Sequence, residues 1–577
     1  MASIPAVAPA LSSKHKELGD PNHSAKEKTG GPEHEEILPV CRRRYGYHVP
    51  FRDGRTGQDK LSIVFDRARV SLLTSNRMLS LVLVSLCLAV VIALYFYNNP
   101  MGHSRWYVMR RFINWFPLGM TYAFLYMGRY NLNVSKTALG AAMSKEDFGW
   151  IFAVGTWVYA LSFLVNGPLV DKIGGKRGII IAAVGASAAN IALGVLTYLV
   201  VAQHLKLNLI LAFSVIYGLN MYFQSYGAVS IIKVKAYWFH VRERGVFGAI
   251  FGTLISFGVY FAFDWGQAVV DMTRVGAGAR SGWLPHLLRG VFALKDRSVD
   301  PTWAVFYVPA VILLFWAVVD ALLIRDTPEE AKFEPLETHD GSSGQMHVEL
   351  TTRELLAKVF TSPLMLMFAA IELTAGVLRN GTMQWYPIFA KEMPRASAAS
   401  IAQNWGLLVC MFGIIGGFAG GLISDKLFQS RRGPPAALLC GFMFVLAGIM
   451  AGCLFAAPMI VGSSALLISM AVIGVHALMS GTAAADFGGR NATATCSGIV
   501  DGFVYLGSGL QSVSLGYLTT RSWHWWPLFL MPFALLGGFL ALRTWHELPA
   551  ATRRFNQEME QAGICRLPAP AAVTRKN

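Results

Sequence analysis

The sequence predicts an all-α, polytopic membrane protein, and three observations carry that prediction. Charged residues make up only 15% of the 577 residues, where a water-exposed surface needs about a quarter. The hydrophobic set reaches 54%. These apolar residues are gathered into runs long enough to span a bilayer core of about 30 Å, which takes about 20 residues of helix. Thirteen such segments are legible, at 79–97, 113–134, 149–170, 178–201, 208–230, 245–265, 303–325, 363–386, 404–424, 435–457, 460–482, 494–518 and 525–544. The 56 glycines suit helices packed in lipid, where small residues let backbones approach.

The last twelve segments fall into two groups of six around a polar stretch, 326–362, the layout of a two-halved transporter. Basic residues mark the cytoplasmic loops: Lys172, Lys176 and Arg177, then Arg242 and Arg244, then Lys426, Arg431 and Arg432. The loop at 266–302 carries Arg274, Arg280, Arg289, Lys295 and Arg297 on the predicted outer side; loops of that length orient weakly. The first segment, 79–97, has basic residues on both flanks. It starts far from the N-terminus and lacks a small-residue cleavage site, so it reads as an extra spanning helix rather than a signal peptide. The expected organisation is a polar basic tail over 1–77, an extra helix over 78–98, an N-terminal half over 105–325, a cytoplasmic linker over 326–362, a C-terminal half over 363–547 and a cytoplasmic tail over 548–577. The first tail holds 13 Lys/Arg against 9 Asp/Glu and reads as disordered, with Arg42-Arg43-Arg44 available to anionic lipid.

Several function classes are disfavoured. There is no G-x-x-x-x-G-K-[ST] loop to bind a nucleoside triphosphate and no H-E-x-x-H. The seven cysteines contain no C-x-x-C pair, so neither zinc nor a disulfide framework is expected. No enzyme constellation and no cofactor are predicted. The net charge of +16 is not interleaved with exposed aromatics, which argues against nucleic acid.

The two halves repeat. GPLVDKIGGKRG begins at Gly167 and GLISDKLFQSRRG at Gly421; their aspartates, Asp171 and Asp425, stand 254 positions apart. Arg129 and Arg379, each in the first helix of its half, stand 250 apart. A guanidinium inside a membrane costs about 3 kcal/mol on insertion scales and persists when it faces a cavity or pairs with an anion. Two at equivalent positions would face each other across the axis between halves. Their planar forks suit an oxyanion. The alternative is an internal ion pair, for which Glu372, seven residues before Arg379, is placed. Tyr122, Tyr126 and Arg129 share one helix face, extended by Asn131 and Asn133. Asp171 with Arg242 or Arg244, and Asp425 with Arg490, are candidate gating pairs, or else static caps. Glu372 and Asp501 are candidate proton carriers. Lys233 and Lys235 read as snorkelling, Asp264 and Asp320 as interfacial, and His476 as a packed histidine.

These residues resemble a known family. The turn at Gly167–Arg177 looks like the signature loop of the major facilitator superfamily. LRNGTMQWYPIFAKE (378–392), GGLISDKLFQSRRG (420–433), WFHVRERG (238–245) and IRDTPEE (324–330) resemble the organophosphate:phosphate antiporter family, over about 105–555. The resemblance implies a major facilitator fold of six plus six helices. It implies Arg129 and Arg379 as the phosphate grip, with Tyr122, Tyr126, Tyr159 and Tyr505 beside it. The implied partners are a small phosphorylated metabolite, inorganic phosphate and the lipid bilayer, in a monomer of the cell inner membrane. Members carry lysines where Tyr130 and Phe163 stand, and the glycerol-phosphate type a histidine where Ile255 falls. The readings open at this point are exchange of an organophosphate for phosphate, proton-coupled anion symport, and a transporter-like sugar-phosphate sensor with a membrane partner.

Overall fold

A computed structural model describes residues 79–97, 99, 101–240, 243–273, 301–336, 354, 357, 360–394, 398–428, 431–487 and 489–546, without the side chains of 141, 244–249, 425 and 480–497. The expectations for tails 1–77 and 548–577, and for most of linker 326–362, lie outside the described residues. Among the described residues nine helices are long and apolar enough to cross a membrane.

The first helix, α1 (79–97), buries one stripe, Ser80, Val84, Val91 and Tyr95, while Val82, Leu86, Val90 and Leu94 are exposed. So many aliphatic side chains turned outward fit lipid and not water. One end is tied down where the Ser80 and Tyr260 hydroxyls meet at 3.0 Å. At the other end the Tyr95 hydroxyl donates to the Val108 carbonyl at 2.9 Å and accepts from Arg111 Nε at 3.0 Å.

The N-terminal half follows as α2 (Arg105–Leu139), α3 (Lys145–Ile173), α4 (Gly175–Val201), α5 (Leu209–Trp238), α6 (Arg244–Tyr260), α7 (Gly266–Thr273) and α8 (Ala304–Leu323). A single π turn, Phe261–Trp265, joins α6 to α7, so the sixth segment runs past the expected end at 265. The starts obey capping chemistry. Ser144 and Asp147 form a capping box at α3, and Asn208 accepts from Leu211 N at α5. The α3–α4 turn needs Gly174 at φ +91, a conformation that side chains disfavour.

The C-terminal half comprises α9 (Pro363–Met383), α10 (Trp385–Glu392), α11 (Trp405–Leu427), α12 (Gly433–Cys453), α13 (Pro458–Phe487), α14 (Gly489–Arg521) and α15 (Trp525–Arg543). Ser362 caps α9 with Pro363 in its first turn. The α9–α14 contact is backbone on backbone: a Cβ at Gly376 would stand 1.9 Å from the Val504 carbonyl oxygen.

The spans predicted over 113–134, 208–230 and 494–518 correspond to α2, α5 and α14, the least apolar of the set because they carry Arg129, Asn220, Gln224 and Gln511, all buried. Buried polar side chains at this depth must find partners or face a cavity. Asp320, expected at the interface, is fully buried and accepts from Thr121 at 2.6 Å, which pins α8 to α2.

At the cytoplasmic end predicted from the charge pattern, Glu243 locks α2 to the α5–α6 connection. It accepts from Arg111 Nη1 at 3.0 Å and from His240 N at 3.2 Å, and lies 3.4 Å from His103 Nε2. Burial works against its charge, but the His103 hydrogen bond and the Arg111 guanidinium outweigh it and hold the carboxyl below its usual range.

Candidate functional site

Arg129 is fully buried on α2 and its guanidinium is gripped on two edges. Nε donates to Gln224 Oε1 at 3.0 Å, and Nη1 donates to the Tyr505 hydroxyl. Its Cζ lies over the Tyr159 ring, at 4.4 Å from the centroid, and over the Tyr126 ring, at 4.6 Å. Nη2 has no partner.

A ladder of amides holds this arrangement. Gln224 donates to Asn220 Oδ1 at 3.0 Å, to which Asn190 also donates at 3.1 Å. Asn131 donates to Asn190 at 2.7 Å, Asn220 to the Gly128 carbonyl at 3.0 Å, and Tyr217 to the Arg129 carbonyl at 3.0 Å. Side chains of α4 and α5 thus fix both the backbone and the head group of Arg129. Asn220 and Gln224, four apart on one helix face, were the sequence signal for this support. The sequence reading passed over them and placed Asn131 on the cavity strip instead.

Arg379 on α9 approaches from the other half. Its Nη2 donates to the Tyr126 hydroxyl at 3.4 Å, and its Nε has no partner. Tyr126 therefore touches both guanidinium groups. Next to it, the Tyr130 hydroxyl donates to Asn380 Oδ1 at 3.1 Å. Tyr122 packs edge-on against Tyr126, and Tyr159 against Tyr505 with centroids 4.3 Å apart. A small cavity opens beside Arg379, lined by Ile255, Ser256, Met383, Val409 and Ser469 among others.

Among the described residues no carboxylate lies within ion-pair distance of Arg129 or Arg379. Glu372, the internal ion-pair candidate for Arg379, is engaged elsewhere: its Oε2 lies 2.9 Å from His476 Nδ1. His476 is accordingly a partnered group and not a merely packed ring. Asp171 forms an ion pair with Lys233 at 3.1 Å, so Lys233 does not simply snorkel. Arg242 and the side chains of Arg244, Asp425 and Arg490 lie outside the described residues.

Toward the predicted outer side, described residues join the two halves directly. Lys145 Nζ pairs with Glu392 at 3.0 Å and donates to the Thr519 carbonyl at 2.9 Å. Asn133 donates to the Gln384 carbonyl at 3.1 Å. Asp264, half-buried, accepts from the Gly406 and Leu407 amides, both at 2.9 Å. It supplies the cap that Asn404 does not give α11. Its negative charge also meets the positive end of that helix.

The sequence profile of the Major Facilitator Superfamily matches residues 118–512. The probable hexose phosphate transport protein of Chlamydia pneumoniae is 24% identical over 452 residues, covering 75% of this chain and 90% of that protein. Membrane sensor protein UhpC of Salmonella typhimurium is 24% identical over 463 residues, covering 77% and 94%. The glycerol-3-phosphate transporter of Bacillus subtilis is 23% identical over 414 residues, covering 70% and 85%. These relatives agree with the organophosphate:phosphate antiporter motifs quoted above. With two helical halves closing on a buried polar centre and a profile match across most of the membrane body, this chain belongs to the Major Facilitator Superfamily and is a multi-pass integral membrane transporter, not an enzyme.

Proposed function

We propose that this protein carries a phosphorylated organic anion across the membrane by alternating access, in exchange for inorganic phosphate. One observation carries the reading. Two buried guanidinium groups, one from each half, converge on Tyr126 with unused N–H donors and, among the described residues, no carboxylate in contact. Two cations so placed repel, and the ligand that satisfies both is an anion with several oxygens. The names of the relatives, hexose phosphate and glycerol-3-phosphate carriers, point to the same ligand class.

In this mechanism an entering phosphate group accepts from Arg129 Nη2 and Arg379 Nε, while Tyr122, Tyr126, Tyr159 and Tyr505 shape the site and share its charge. The anion draws the halves together and lowers the barrier to rocking. A ligand shifts the two states only by its differential affinity for them. Discharge leaves two facing cations, so return of the carrier needs a second anion; that is the physical origin of exchange. Asp171, Arg242, Arg244, Asp425 and Arg490, at the inner ends of the helices, are the proposed gating groups for the opposite rocking motion.

The test is counterflow in proteoliposomes. Internal phosphate should accelerate uptake of labelled phosphate, and glycerol 3-phosphate or glucose 6-phosphate should compete. Saturable binding with no flux would instead favour a sensing role like that named for UhpC. Absence of both binding and flux would reject the anion site.

A further inference from the structure

The cavity beside Arg379 is walled by both halves. Ile255 and Val259 come from α6, Met383 from α9, Val409 from α11 and Ile473 from α13, all hydrocarbon or thioether. The polar side chains on its wall are the Arg379 guanidinium and the hydroxyls of Ser256 and Ser469. Ser256 already donates to the Gly252 carbonyl at 3.0 Å. Ser469 is buried and its Oγ has no partner. Gly413 adds no side chain to the wall; a Cβ there would stand 3.2 Å from Ser256 Oγ and narrow the space. The cavity volume is about 20 Å³, room for about one group the size of a water or a methyl.

Such a chamber sorts what is attached to an oxyanion held at Arg379. A methylene moved from water onto these walls gains about fourfold in affinity. A hydroxyl moved there loses its water partners, and one left without a replacement costs about 5- to 150-fold. Ser469 can serve one cargo hydroxyl in full, and the Ser256 oxygen can accept from another. A hexose ring brings more hydroxyls than these, and more volume than the cavity offers. Around Arg129 the rings of Tyr122 and Tyr126, and of Tyr159 and Tyr505, pack against each other, which leaves the opening beside Arg379 to the rest of the cargo.

We propose that this cavity seats the organic part of the cargo and selects a tetrahedral phosphorus oxyanion with a short hydrocarbon tail, sparing in hydroxyls, over a sugar phosphate. The inference rests on the reading of Arg129 and Arg379 as the anion site. It runs against the hexose phosphate that names one relative. The α6 wall belongs to the other half, so the cavity changes size as the halves rock, and its closed size limits what is carried through.

The experiment uses full-length protein in proteoliposomes. It measures inhibition of labelled phosphate counterflow by ethyl phosphate, ethylphosphonate, glycerol 3-phosphate and glucose 6-phosphate. Each half-inhibitory concentration is divided by the same protein's half-saturation for phosphate, so a general change in anion affinity cancels. If labelled phosphate binds without flux, the same series is run as displacement. In wild type the two ethyl compounds should be at least about tenfold more potent than glucose 6-phosphate, with glycerol 3-phosphate between them. Val409→Thr, which adds a hydroxyl to the wall with little change of shape, should narrow that gap by about threefold or more. Ser469→Ala removes the unpartnered hydroxyl and should weaken glycerol 3-phosphate about fivefold relative to ethyl phosphate; it serves if Val409→Thr does not fold. Glucose 6-phosphate as potent as ethyl phosphate in wild type overturns the tail site and leaves the anion site standing. A ranking that neither variant shifts has the same meaning. Wild type that neither exchanges nor binds phosphate overturns the anion site and this inference with it.

Discussion

Replacing Arg129 by lysine keeps the charge and removes the fork, which makes it the sharpest probe of the site. In the structure Nε is used on Gln224 and Nη1 on Tyr505, and Nη2 is left over. A lysine ammonium has three donors on one atom and no plane to lie against the rings of Tyr126 and Tyr159. It can hold Gln224 or reach the anion, but not in the geometry that does both. The anion then loses one charge-assisted hydrogen bond, which contributes about 1.5–3 kcal/mol. That is about 10- to 150-fold in affinity. The assay is the half-saturation concentration for phosphate in counterflow, with Arg129→Gln as the comparison that also removes the charge and should lose more. Reconstituted Arg129→Lys with a half-saturation within about threefold of wild type would refute the assigned role.

Four further outcomes follow from the geometry. Gln224→Leu, which touches no proposed ligand, should weaken phosphate half-saturation in the same direction as Arg129→Lys but less; unchanged counterflow would show the amide ladder to be structural only. Asp264→Ala removes the cap from α11, an effect of about 0.5–2 kcal/mol, and should favour the outward-open state, read as faster labelling of an introduced Gln384→Cys by a membrane-impermeant maleimide. Glu243→Gln orphans the buried Arg111 and should lower thermal stability, breaking such a pair costing about 3–5 kcal/mol, with recovery in Arg111→Met/Glu243→Gln. Because this carboxyl is held below its ordinary 4.5, its contribution is complete above that pH and is lost only as pH falls through the lower folded value; a wild-type melting temperature that already drops between pH 7 and 6 for this reason would contradict the assignment. Gly376→Val would drive a side chain into the Val504 carbonyl and should abolish the monodisperse peak in size-exclusion chromatography.

The helical membrane body was legible because lipid demands runs of about 20 apolar residues, and nine such runs stand among the described residues, α3, α4, α12 and α15 with them. The two arginines were legible for the opposite reason: a charge in such a run is too costly to be incidental. What could not be read was pairing. Asp171 meets Lys233 on α5, Glu372 meets His476 on α13, and Asp264 meets two amides of α11. Each contact joins helices far apart in sequence, and helical periodicity reports only the face a residue occupies. The π turn at Phe261–Trp265, which carries Asp264, leaves no periodic signature either.

The row of asparagine and glutamine side chains behind Arg129 separates selection from contact. A change at Asn190 alters no group placed at the proposed anion, yet it would retune the pitch of the guanidinium through three successive hydrogen bonds, Asn190 to Asn220, Asn220 to Gln224 and Gln224 to Arg129. Efforts to redirect this carrier toward another cargo therefore have a second tier of dials, located in α4, where a search confined to the chamber wall would never look.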